Sequence, residues 1–310
     1  SGLLLSQGHN RHIDAERYKT MTGVVTRAMT GARFSFVPVM DHEIHVTEWG
    51  DANKPALMMW HGLARNGRDF DELAAALSDQ YRVFCPDLIG RGLSSWSDNP
   101  EAEYSIEYFT GIASDLMDHF GLDRVAWLGT SLGGLIGMRL AAGPDQDRIA
   151  SLLLNDVGPE IPASAIDRIL AYVGELPVFS RYDEAESWLR TVYQPFGPAD
   201  DRFWQRMARH SMRRMADGRL TLHYDPRITI EFSASAHEFS SWERWRRIKV
   251  PTYLFRGQSS DILTEGIASR MRASGPRPVE TLFSECGHAP NLSRPDDIVL
   301  VRQVLADLAG

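Results

Sequence analysis

At 310 residues, 43% hydrophobic and 24% charged, the chain has the make-up of a globular protein. A chain of this size buries roughly three quarters of the surface it exposes when unfolded. Its 41 acidic against 33 basic residues, a net charge of −8, argue against general affinity for nucleic acid or anionic membranes, which repel such a surface. No window approaches the ~18 continuous apolar residues of a membrane helix. The two cysteines, Cys85 and Cys286, read as reduced, half-buried thiols, which fits the cytoplasm.

Residues 1–20 read as an N-terminal extension. Their one apolar triplet, Leu3-Leu4-Leu5, is too short for a signal sequence, and Ser1-Gly2 looks like a processing or cloning remnant. Strands are expected at 33–39 and 43–49, then at 55–60, with a helix over 69–77 and a strand at 81–85. A helix over 105–120 precedes a strand at 124–128, which runs straight into a helix over 132–142 and then a strand at 149–155. The alternation breaks after Asp156. From about Gly158 to Ser240 there are amphipathic pieces (163–173, 182–192, 200–215) and no convincing buried strand. It resumes with a strand at 250–255, a helix at 264–273, a strand at 279–283 and a helix at 296–308. Alternating strands and helices predict a mostly parallel sheet with right-handed crossovers. One α/β core, residues 21–157 and 241–310, therefore carries a helical insertion over 158–240.

The chemistry-bearing residues fall on loops after strands. Gly129-Thr130-Ser131-Leu132-Gly133 joins an apolar strand to a helix. A turn this sharp strains the serine backbone and lifts its hydroxyl clear of the sheet, and only small residues at Gly129 and Gly133 let the neighbouring backbone pass so close. Ser131 is the candidate nucleophile. A serine hydroxyl needs a base, and of ten histidines His288 stands out, in the loop between the last strand and the last helix. The base needs an acid to fix its tautomer. Asp261, in the loop Gly257-Gln258-Ser259-Ser260-Asp261 after the strand Thr252 to Phe255, is preferred over Asp156, which follows the strand Ser151 to Asn155. An acyl-transfer site also needs oxyanion donors. The backbone N–H groups of Leu63 and Leu132 are assigned to that role, with the His61 ring bracing its loop. Arg65, two residues past Leu63, is a candidate hook for a substrate carboxylate, the competing reading being a pair with Asp69 or Asp71. Among the aromatics of the insertion (Tyr172, Phe179, Trp188, Tyr193, Phe196, Trp204), Trp188 and Phe179 are singled out as pocket-lining. No metal or cofactor motif occurs.

His61-Gly62, Asp87 to Ser94, the turn at Ser131, Arg256-Gly257 through Asp261 and Gly287-His288 together resemble the α/β-hydrolase superfamily, in its order and over more than half of the chain. The resemblance implies an α/β-hydrolase fold: a mostly parallel eight-stranded sheet flanked by helices, with a helical cap between strands six and seven. A serine at position 131 speaks against the haloalkane dehalogenases and epoxide hydrolases, which carry aspartate there. The expected activity is that of a carboxylesterase or lactonase acting through an acyl-enzyme. Alternatives are a carbon–carbon hydrolase of meta-cleavage products, a cofactor-free oxygenase, or a non-catalytic binding module on the same fold. Ala289-Pro290 after the histidine, where the carbon–carbon hydrolases often carry tryptophan, favours the ester. The implied partner is a small-molecule substrate, with no nucleic acid, membrane or cofactor; a homodimer is compatible with the sequence.

Overall fold

The computed structural model describes residues 31–310, so the expected N-terminal extension lies outside the described residues. Eleven strands occur there: β1 (Arg33–Val39), β2 (His42–Trp49), β3 (Ala56–Trp60), β4 (Arg82–Pro86), β5 (Val125–Thr130), β6 (Ile149–Asn155), β7 (Val178–Phe179), β8 (Met212–Arg214), β9 (Leu220–Leu222), β10 (Thr252–Gly257) and β11 (Val279–Phe283). Eight of them form one sheet in the order β1-β2-β4-β3-β5-β6-β10-β11. β2 runs antiparallel to both of its neighbours, and the remaining pairs are parallel.

The central strands are apolar on both faces, as a sheet covered on both sides requires. Met58 and Trp60 of β3 pack into one hydrophobic cluster, and their alternates Leu57 and Met59 into the other. Leu152 and Leu154 against Leu153 of β6 repeat the pattern. The Trp60 and Trp127 rings stack 5.2 Å apart, which locks β3 to β5 beneath the loops that follow them.

Between β6 and β10 the chain leaves the sheet. This insertion holds the helices Ala163–Val173, Tyr182–Val192 and Asp201–Ser211, at the expected places. It also holds a small antiparallel sheet, β7-β9-β8, where no convincing strand is expected from sequence. Its strands are two or three residues long, too short for a period of two to register. The stretch expected to be helical over 200–215 turns into β8 after Ser211 for the same reason.

Candidate active site

Ser131 sits where β5 meets the helix Leu132–Ala141, at φ 52° and ψ −115°. Backbone this strained persists only where its surroundings impose it. Here the Ser131 N–H donates to the Asn155 carbonyl at 3.0 Å, and the Ser131 carbonyl accepts from Gly134 and Leu135. A methyl on Gly133 would lie 2.2 Å from the Trp60 carbonyl oxygen, and one on Gly129 2.3 Å from Gly133 carbon, so both glycines are obligatory. The Asn155 amide then ties three elements together. It donates to Thr130 Oγ1 at the end of β5 and to the Pro290 carbonyl in the loop after β11.

That loop carries His288. The Ser131 hydroxyl meets His288 Nε2 at 2.9 Å, and His288 Nδ1 meets Asp156 Oδ2 at 2.7 Å. Asp156 is fully buried. It accepts the Gly257 N–H on Oδ1 (2.8 Å) and the Ser260 hydroxyl on Oδ2 (2.6 Å), besides the histidine. A carboxylate oxygen can only accept from the ring nitrogen it faces. His288 Nδ1 therefore donates, and Nε2 keeps its lone pair for the serine proton.

This corrects the expectation for Asp261. Its carboxylate takes both arms of the Arg168 guanidinium, Nε to Oδ2 at 2.5 Å and Nη2 to Oδ1 at 2.9 Å, and it is Asp156 that meets the histidine. Both side chains are 45% exposed. β10 lies directly beside β6, so its last residue, Gly257, and Ser260 in the loop that follows reach Asp156, while Asp261 lies further out. The order serine, aspartate, histidine along the chain is satisfied by either residue and could not discriminate. A usable signal was spacing: Asp156 adjoins the last residue of β6 with nothing between, as a rigidly placed side chain should.

The loop after β3 lies against the serine. A methyl on Gly62 would be 3.6 Å from Ser131 Cβ. His61 braces this loop as expected: Leu88 N–H donates to its Nε2 at 3.0 Å, and its Nδ1 lies 2.7 Å from the Gly62 carbonyl. Burial pulls the His61 ring down to about 4, which keeps it neutral. Arg91, fully buried, donates from Nε to the Leu63 carbonyl at 2.8 Å and from Nη1 to the Ile89 carbonyl at 2.9 Å. It also pairs with the buried Glu231 of the insertion. The carbonyl of Leu63 is thus fixed from behind. Leu63 faces the cavity, and Leu132 opens the helix that begins beside Ser131. Sequence reading missed the role of Arg91, because nothing in a loop sequence says which arginine is buried.

Ser131 and His288 open onto a cavity of about 440 Å³ between the sheet and the insertion. Tyr172, Tyr193 and Phe196, of the insertion aromatics named from sequence, line it together with Phe203. Trp188 and Phe179 do not line it. Their rings pack on each other, 5.8 Å apart, inside the insertion, which corrects their assignment as substrate-binding residues. Arg65 does line the cavity, but it is only 6% exposed and its fork is occupied by Asp69, Nε to Oδ2 at 2.8 Å and Nη2 to Oδ1 at 2.5 Å. Its guanidinium also covers the Tyr193 ring, 5.0 Å from the centroid. Cys286 lines the cavity too, yet burial pushes its thiol up to about 11, so it offers no thiolate near neutral pH.

Among the described residues no helix is long and apolar enough to cross a membrane. The sequence profile of the alpha/beta hydrolase family matches residues 57–300. The chain is 37% identical over 273 residues to a 3-hydroxybutyrate-oligomer hydrolase of Cupriavidus necator, covering 84% of this chain and 92% of the relative. An alpha/beta hydrolase from Novosphingobium aromaticivorans superposes with a TM-score of 0.80 at 31% identity, covering 89% of this chain and 98% of that one. E-2-(acetamidomethylene)succinate hydrolase shares the fold, with a TM-score of 0.74 at 22% identity over 89% of this chain and 97% of its own. The chain belongs to the alpha/beta hydrolase family and is a hydrolase.

Proposed function

We propose that the chain is a serine esterase acting through an acyl-enzyme on Ser131, with short oligomers of a 3-hydroxy acid as substrates. The observation that carries the reading is His288 hydrogen-bonded at once to Ser131 and to the buried Asp156 on the wall of a cavity. Ser131 Oγ attacks the ester carbonyl as His288 Nε2 takes its proton, and Asp156 stabilises the imidazolium. The oxyanion is received by the N–H groups of Leu63 and Leu132. Collapse breaks the carbon–oxygen bond, and His288 returns the proton to the departing alcohol. Water, activated by the same histidine, then releases the acid and restores Ser131. The insertion acts as a cap that closes the acyl site from above.

Support for the substrate class comes from the Cupriavidus necator relative, whose named substrates are joined by ester bonds. The mixed wall of the cavity, with apolar Ile169, Val173 and Phe196 beside tyrosines, suits a short chain alternating methylene and ester groups. The test has two arms. A fluorophosphonate probe should label the wild type on Ser131, located by peptide mass, and the protein should release 3-hydroxybutyrate from its dimer and trimer. Labelling without cleavage of either oligomer would keep the esterase and discard the substrate; no labelling at Ser131 would overturn the serine mechanism.

A further inference from the structure

At the mouth of the cavity one ion pair joins the two halves of the molecule. Arg168 stands on the insertion helix Ala163–Val173, Asp261 on the loop after β10, and both line the cavity that holds Ser131. We propose that Arg168 reads the free carboxylate end of the substrate, exchanging Asp261 for it. The inference rests on the esterase reading above and names the part of the substrate that this site recognises.

The charged groups facing the cavity are few. Arg65 holds Asp69, Arg168 holds Asp261, and Glu285 lies 3.6 Å from Arg294. Two cations are therefore available to an anionic substrate, and they differ in what release would cost. Arg65 is buried, paired to a mostly buried aspartate and covered by Tyr193. Freeing it would strand a charge out of water, which is strongly unfavourable. Arg168 and Asp261 are half exposed, and pairs of this kind contribute little net, because water competes for both partners. Asp261 can return to solvent while an incoming carboxylate takes its place on the same two N–H groups. The fork already grips a carboxylate in the two-pronged geometry that a substrate end would adopt.

The chemistry of a hydroxy-acid oligomer then fixes which half of the reaction is affected. Its free carboxylate lies on the alcohol side of the last ester, so it leaves with the first product. Arg168 acts on binding and acylation, and the acyl-enzyme no longer carries the group it reads. An exchange also requires opposite behaviour from the two partners. Removing Arg168 weakens capture of the carboxylate, whereas neutralising Asp261 removes its competitor.

The experiment compares the free-acid dimer of 3-hydroxybutyrate with the same dimer ended by a primary carboxamide, which differs only in charge. The wild type should favour the acid. Arg168→Met should raise KM for the acid at least 10-fold and change the amide less than twofold, with little effect on kcat where deacylation limits. Asp261→Asn should lower KM for the acid several-fold and leave the amide unchanged. The proposal is overturned if both variants shift acid and amide alike, as a mere bridge between insertion and core would, or if the wild type prefers the amide. The same comparison made by calorimetric binding to Ser131→Ala protein, with and without Arg168→Met, reads the carboxylate contrast even if turnover is absent. Equal binding of acid and amide to the Ser131→Ala protein would overturn the proposal on its own. A wild type that cleaves no ester at all, while Ser131→Ala protein still binds the acid selectively, would instead sink the esterase reading.

Discussion

Asp156 and His288 meet at 2.7 Å although 132 residues separate them, because β6 and β10 are hydrogen-bonded neighbours and the loop after β11 folds back over their ends. Asp156 lies at φ 60°, a left-handed turn that points its carboxylate into the gap where Gly257, Ser260 and the histidine all reach it. The carboxylate partner of His288 is thus defined by strand adjacency, not by its place along the chain.

Asp156→Asn should lower kcat on a neutral ester such as p-nitrophenyl butyrate by several orders of magnitude. In the chymotrypsin example an asparagine at the acid's position costs about 10⁴, because the histidine settles in the wrong tautomer. Asp261→Asn should keep kcat within a few-fold on the same ester. The outcome that would move the acid back to Asp261 is a greater loss there than at Asp156.

Most of the scaffold was legible in the sequence, for definite reasons. The strands β3, β5, β6 and β10 are buried on both faces, so their apolar runs announce themselves. The turn at Ser131 announces itself through Gly129 and Gly133, which sterics forbid to be anything else. The carboxylate partner of His288 was misread, since Asp156 and Asp261 both follow strands and burial is a property of the assembled sheet, leaving only the tighter spacing of Asp156 to its strand to tell them apart. Trp188 and Phe179 misled for a related reason. An aromatic on an amphipathic helix marks a buried face, and nothing local says whether that face meets a cavity or another ring.

Gly133→Ala should destabilise the protein by about 3 kcal/mol or more, since a backbone oxygen, not a flexible side chain, stands 2.2 Å from the new methyl. Gly266→Ala is its counterpart. Gly266 is helical with no atom nearer than 3.9 Å to a new methyl, and there alanine should stabilise by about 0.5–1 kcal/mol. Urea unfolding of both variants checks the contrast. Equal and small effects would mean that the turn at Ser131 is slacker than its geometry.

Arg91→Met should cost about 3–5 kcal/mol, because it leaves Glu231 without its partner in the interior, where burial already lifts its carboxyl to about 7 and would force it to take up a proton. Adding Glu231→Leu should return most of that stability, as replacing both members of a buried pair by apolar groups often does. Activity should not return with it. The double variant still lacks the donor that holds the Leu63 carbonyl, so the loop after β3 is free to turn. Chemical denaturation and kcat, measured on the single and double variants, separate the two roles. Recovery of kcat together with stability would reduce Arg91 to a structural residue.

The pH dependence of stability should carry the signature of two histidines that their surroundings keep neutral, His61 fully buried and His210 partly so. Burial lowers His61 to about 4, and His210 likewise to about 4, each from a usual 6.5. Their folded values lie below their unfolded ones, so between pH 6.5 and 4 the unfolded chain binds protons that the folded chain refuses. Their contribution is complete above about pH 6.5 and is lost as pH falls toward 4, on the order of 3 kcal/mol for His61 alone. Protonation would also turn His61 Nε2 from the acceptor of the Leu88 N–H into a second donor facing it. A His61→Gln variant keeps an acceptor for that N–H and cannot titrate. Its unfolding free energy, from urea melts at a series of pH values, should fall less steeply than the wild type's below pH 6.5, by up to ~1.4 kcal/mol per pH unit. Identical slopes in the two proteins would show that His61 takes up its proton inside the folded protein as readily as outside it.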